Sequence, residues 1–319
     1  MKKATIWLII GAVLLLIGVI LFTGVMKVAA WDFSKLSTIN YVTNNYDITE
    51  SYNNISIISD TADINLLPSE NGKTLVVCYE QKKMAHSVSV TDNTLKISVV
   101  DTRKWYDYIG ISFGTPKITV YIPKGEYEAL SIKESTGDIK IPQDFYFESI
   151  DILASTGDIK NYASAKNTKI KTDTGDILLE KTKTNLLSLS VSTGNIKVLD
   201  VACEGDIRIK VSTGHAKLIG TTCQNLISSG NTGDIYFENV IASQKLNVDR
   251  STGDIKFEKC DAGELSIKTD TGDVRGSLLS EKVFFAQTDT GKINIPKTTS
   301  GGKCEINTST GDIKISLTP

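Results

Sequence analysis

A Thr-Gly step recurs ten times between residues 136 and 311 of this 319-residue chain, and its spacing leaves few folds open. The glycines are Gly137, Gly157, Gly175, Gly194, Gly214, Gly233, Gly253, Gly272, Gly291 and Gly311, at intervals of 20, 18, 19, 20, 19, 20, 19, 19 and 20 residues. A period this regular is the signature of stacked units that contact only their neighbours. In Leu265-Ser-Ile-Lys-Thr-Asp-Thr-Gly-Asp-Val274 the residues Leu265, Ile267, Thr269 and Thr271 share one parity, whereas Val274 has the other. A strand alternates faces strictly, so the slip marks a corner, and glycine supplies the positive φ that a corner often demands. Leu187, Leu189 and Val191 before Gly194 and Ile196 repeat the phase. The fold class that follows is all-β, a parallel β-solenoid (β-helix) of about 19–20 residues per coil; ten coils at strand spacing make a rod about 48 Å long.

The regular repeats occupy 134–319. Residues 54–133 read as earlier, less regular coils, because Asp60-Thr-Ala-Asp-Ile64 repeats the turn with alanine for glycine and Val88, Val90, Leu95, Ile97, Val99, Ile118, Val120 and Ile122 alternate as strands do. Terminal repeats of solenoids are commonly atypical because they cap. Residues 31–53, rich in Asn, Thr, Ser and Tyr, read as a polar stalk, and 1–30 as a cytoplasmic N-terminus and transmembrane helix.

That helix is expected because Ala4 to Met26 carries no charge, and a helix of this length crosses a hydrocarbon core of about 30 Å. Lys2 and Lys3 precede it, and the positive-inside bias then puts the N-terminus in the cytoplasm and the solenoid outside. Trp31 and Phe33 stand where an interfacial aromatic anchor would sit. A signal peptide cleaved before Trp31, after Val28-Ala29-Ala30, is the alternative, and either reading exports the remainder.

Composition argues against several functions. Lys plus Arg number 35 against 37 acidic residues, so no basic excess attracts nucleic acid. Two histidines and three tryptophans leave little material for histidine metal sites, general bases or sugar platforms. No catalytic, cofactor or metal residue is assigned, and no cofactor is expected. Asp-Thr-Gly at 173–175, 270–272 and 289–291 matches the aspartic-protease string, but Ser192-Thr-Gly194 holds the same register, and serine cannot replace a catalytic aspartate. Aspartate follows the glycine seven times, with lysine or arginine commonly two residues later, which reads as a neutralised charge ladder rather than a Ca²⁺ row. His86 and His215 read as lone strand or surface residues. Of five cysteines, Cys203 and Cys223 hold one register with Thr184, Ala242 and Ala262, which reads as a corner wanting small side chains; a disulfide between them stays open.

One segment interrupts the pattern. Asp101 to Phe113 concentrates Trp105, Tyr106, Tyr108 and Phe113, which serve either as a cap over the solenoid's end or as a partner-binding loop. At the other end, Glu305-Ile306 and Ile313 to Leu317 lack a capping helix, so an uncovered edge and end-to-end self-association are expected.

Ser-Thr-Gly-Asp-Ile-Lys at 135–140, 155–160 and 251–256, after an apolar helix running into Trp31-Asp-Phe-Ser-Lys35, resembles the bacterial putative-adhesin family, a domain of unknown function. The resemblance implies a β-helical envelope or cell-surface protein, with relatives near envelope-stress regulators. The function expected is therefore non-catalytic: a membrane-anchored extracytoplasmic solenoid that binds a surface, touching lipid through its helix and a cell-envelope polymer or membrane protein through its rod. An accessory of envelope-stress signalling is the alternative; a polysaccharide-active enzyme is remote, because such coils leave no room for loops over a carboxylate-lined groove.

Overall fold

The structure, a computed structural model, describes residues 3–108 and 114–318. Helix α1 (Lys3–Val28) is apolar on every side, with mean hydropathy 2.9 in its most apolar window, none of which the rest of the chain covers. Ala30 and Trp31 stop it in the left-handed conformation, with the Trp31 N–H returning to the Met26 carbonyl at 2.8 Å. Strands β1 (Tyr41–Ile48), β2 (Asn54–Ser59), β3 (Asp63–Pro68), β4 (Thr74–Gln81), β5 (Met84–Thr91), β6 (Thr94–Asp101), β7 (Lys117–Ile122), β8 (Gly125–Thr136) and β9 (Ile139–Ile141) follow, and then the repeats.

The repeats form the expected parallel solenoid, in which a long strand reaches the glycine corner and a short strand leaves it. Register is strict: Ile132 pairs with Ile152, Ile152 with Ile170, Ile170 with Leu189 and Leu189 with Ile209, so inward side chains stack in apolar rows. All ten turn glycines have positive φ, between 121° and 157°. The corner also leaves no room for a side chain, since a Cβ at Gly214 would lie 2.0 Å from the Gly194 carbonyl oxygen. In the first coil Ala62 takes the glycine's place, directly beneath Gly137. A second corner follows, held by Lys181, Asp200, Gly220, Asn239 and Lys259, all left-handed.

The row of aspartates after the glycines is more than a charge ladder. Each side chain accepts the backbone N–H of its counterpart in the next coil: Asp138 Oδ1 from Asp158 at 2.8 Å, Asp158 from Asp176 at 2.8 Å, and Asp254 from Asp273 at 2.8 Å. Asn195 and His215, with acceptors of their own, continue the ladder to His215 and Asp234. The basic residue two places on does not generally pair with it; Arg275 on Asp273 is the case in which it does. The expected neutralising row is therefore replaced by backbone capture, which needs an acceptor rather than a charge.

Chain order and stacking order part at both ends. Strand Gly302–Thr310 lies between Ile255–Thr271 and Lys282–Thr290: Leu265 pairs with Cys304, and Cys304 with Phe284. The outermost coil is thus 282–294, not the final segment, which corrects the expected position of the open edge. At the other end β2 lies between β6 and β8, and β3 between β7 and β9. Antiparallel strands then close that end. β5 and β6 form a hairpin through Asp92 and Asn93, both with positive φ as the tight turn requires, while β4 joins β7 and β1 joins β4. The segment read as a stalk thus contributes β1 to this cap.

The five cysteines are free and buried, among them Cys203 and Cys223. Their register, with Thr184, Cys203, Cys223, Ala242 and Ala262 all buried, is the small-residue corner.

Candidate functional site

The cap brings the chemistry of the chain to one end. Five of its residues with polar side chains are buried: Ser59, Thr74, Glu80, His86 and Glu134. Cys78 and Glu80 point inward from β4 because they are two residues apart, and the β5 hairpin lays His86 against them. His86 Nδ1 lies 2.6 Å from Glu80 Oε2, which also accepts the His86 backbone N–H at 2.7 Å. Asn44 of β1 donates to Glu80 Oε1 at 2.6 Å, and His86 Nε2 meets Ser59 Oγ at 3.1 Å. His86, expected as a lone residue, is in fact the centre of this network. The sequence hides that, because β5 returns to β4 through a two-residue connection and carries the imidazole inward.

Cys78, Glu80 and His86 place a thiol, a carboxylate and an imidazole nitrogen within 4.8 Å of one another, a donor set of the kind that divalent ions take. Both Glu80 oxygens already accept hydrogen bonds, and burial with the Glu80 charge pushes the Cys78 thiol up to about 12, toward the form that does not ligate. The arrangement is that of a hydrogen-bonded plug holding β1, β2, β4 and β5 together. Beside it, burial lifts the Glu134 carboxyl to about 7, against opposing hydrogen bonds from the Ala62 and Thr136 N–H groups.

The aromatic segment emerges from the same end. Beyond β6, Trp105–Tyr108 forms a single 3-10 turn. Asp101 fastens it: its carboxylate accepts the Arg103 N–H at 2.9 Å, both edges of the guanidinium at 2.9 and 2.7 Å, and the Tyr108 hydroxyl at 3.1 Å. Those bonds hold the Asp101 carboxyl well below its ordinary value. The Arg103 guanidinium stacks 4.5 Å from the Tyr108 ring centroid, and Lys83 pairs with Asp107. On this fastened base Trp105 is 77% exposed, Tyr106 48% and Tyr108 60%. Phe113, named with them from the sequence, lies outside the described residues.

The segment adjoins the chain's path from α1. Tyr41, the first residue of β1, donates its hydroxyl to the Gly114 carbonyl at 2.9 Å, and its ring packs where a Gly114 Cβ would be. Thr38, Ile39 and Asn40 line one cavity of about 200 Å³ together with Lys83, Arg103 and Asp107.

A family model described as Toastrack DUF4097 matches residues 52–223 and 204–319. Among solved structures, a putative adhesin from Parabacteroides distasonis is 10% identical, with 87% of this chain and 98% of that chain covered and a TM-score of 0.50. A putative lipid binding protein from the same organism is 15% identical over 88% and 98%, with a TM-score of 0.46. A putative adhesin from Bacteroides fragilis is 17% identical over 87% and 97%, with a TM-score of 0.36. No curated protein matches the chain. At these identities the likeness is one of fold.

Proposed function

The chain belongs to the Toastrack DUF4097 family, and from that premise we propose that it is a non-catalytic, membrane-anchored protein of the cell envelope whose rigid solenoid presents a binding surface outside the membrane. α1 is the anchor in this reading, with Lys2 and Lys3 on the cytoplasmic side. Its long apolar stretch, exposed apart from Met26 near its end, supports that role. The observation that carries the non-catalytic reading is the engagement of the aspartate row. Carboxylates such as Asp158 and Asp254 accept backbone N–H groups of the next coil, so the outward acids serve the stack rather than a substrate. Exposed aromatics on a fastened base are the contact chemistry of a binding protein, since they bury large area at little entropic cost.

The test is in-cell photo-crosslinking of the full chain with a crosslinker at Trp105 and, separately, at Tyr108. Capture of a wall glycan or a foreign surface supports adhesion. Capture of a membrane sensor points to a signalling accessory instead. Intact mass of the protein recovered from cells checks the anchor, because loss of residues 1–30 would mean a cleaved signal.

A further inference from the structure

Trp31, Phe33 and the aromatic turn at 105–108 are separated by most of the cap in sequence, yet the fold returns the turn to the place where the chain arrives from α1. Twelve residues, 29–40, connect α1 to β1. Four of them, Phe33–Leu36, are wound as a 3-10 turn. At about 2 Å per residue there and about 3.4 Å elsewhere, Tyr41 lies within about 39 Å of the end of α1. Tyr41 in turn touches Gly114, and Thr38 to Asn40 share a cavity with Arg103 and Asp107. The turn therefore stands at the part of the cap where the chain arrives from α1.

Its chemistry suits that position. Trp105, Tyr106 and Tyr108 are amphipathic rings of the type that settle at the level of lipid headgroups, and they are exposed although their backbone is firmly fastened. Lys83 and Lys104 lie over the Tyr106 ring and Arg103 over Tyr108, Lys82 lines the adjoining cavity, and the acids Asp101 and Asp107 are bonded to Arg103 and Lys83, so the four cations exceed the acids by two. A cationic rim around aromatic tips matches an anionic bilayer surface electrostatically and in polarity. We infer that the Trp105–Tyr108 turn docks on the surface of the bilayer that α1 spans, so that the solenoid is held at the membrane by a second contact besides its helix. This rests on the reading of α1 as an anchor.

The three tryptophans, Trp7, Trp31 and Trp105, make the test direct. The full chain carrying Trp31→Phe with Trp7→Phe keeps Trp105 alone; carrying Trp31→Phe with Trp105→Phe it keeps Trp7 alone. Both are reconstituted in phosphatidylcholine–phosphatidylglycerol vesicles whose acyl chains are brominated either near the headgroup or near the bilayer centre. Docking predicts that headgroup-proximal bromine quenches Trp105 about twofold, and that added salt relieves part of the quenching. Trp105 unquenched and open to aqueous iodide, while bilayer bromine quenches Trp7, overturns the docking and leaves the anchor standing. Trp7 unquenched by either lipid overturns the anchor and the docking with it.

Discussion

Lys292 donates its backbone N–H to Asp312 Oδ1 at 2.9 Å, although Asp312 comes twenty residues later in the chain. The aspartate ladder thus runs Asp254, Asp273, Asp312 and ends on Lys292. A side chain without an acceptor stands where no further coil asks for one. An interior coil could not use lysine here, and the outermost coil can.

This ordering is testable with two variants of the full chain in detergent. Asp312→Ala leaves the Lys292 N–H without its acceptor and is expected to cost about 1 kcal/mol in urea unfolding. Lys292→Ala removes no acceptor and is expected to stay within about 0.5 kcal/mol of the parent. If the coils stacked in chain order, Asp312 would be terminal and its replacement would be the silent one.

Gly214→Ala is expected to cost about 3 kcal/mol, since the new Cβ meets the Gly194 carbonyl and φ is 129°. Gly125→Ala, with open space around its Cβ position, is the control and should change the urea midpoint little. A mild effect at Gly214 would mean that the corner can open.

The turn and its glycines are legible in the sequence because period and parity are local properties. Core rows such as Leu265 and Ile267 follow from the same alternation. The second corner was missed because Lys181 and Lys259 hide a left-handed position that Asp200, Gly220 and Asn239 advertise six residues after their glycines. Stacking order is not legible because in-frame coils are interchangeable by pattern; Lys292 is the one residue of the row whose side chain cannot accept a hydrogen bond, where Asn195 and His215 still can. The Glu80–His86 pair depends on how β5 folds back on β4, which alternation does not specify.

Glu134 sets a pH dependence. Its carboxyl is raised from 4.5 to about 7 in the folded chain. Below pH 4.5 both states hold the proton and stability is at its full value. Between those values the unfolded chain loses the proton while the folded chain keeps it, so stability falls as pH rises, by an amount of order 3 kcal/mol, and levels off above about 7. Glu134→Gln should flatten the urea midpoint across this window. An unchanged slope in the variant would assign the dependence to other groups.

Glu80→Ala should destabilise by about 3 kcal/mol, because it strips His86 and Asn44 of a buried partner. Thermal unfolding in detergent reads the change, and an unaltered midpoint would mean that the plug does not hold the cap.

All five thiols are buried, and burial raises Cys78, Cys223 and Cys304 to about 12 and Cys260 to about 11. Iodoacetamide at mildly alkaline pH should therefore leave the native chain unmodified and add five groups in urea without reductant. Three additions in urea, rising to five after reduction, would place a disulfide between two of them.

The inserted strand Gly302–Thr310 also has a history written into it. As a chain grows from its N-terminus, residues 282–294 become available before 302–317 do, and their glycine, threonine and apolar positions fit the coil of 265–278 in the same frame. That premature partner must be given up, or never taken, before the later residues can slide into the gap. The end of the rod can accordingly close only once residues 302–317 are available, while its middle can elongate coil by coil.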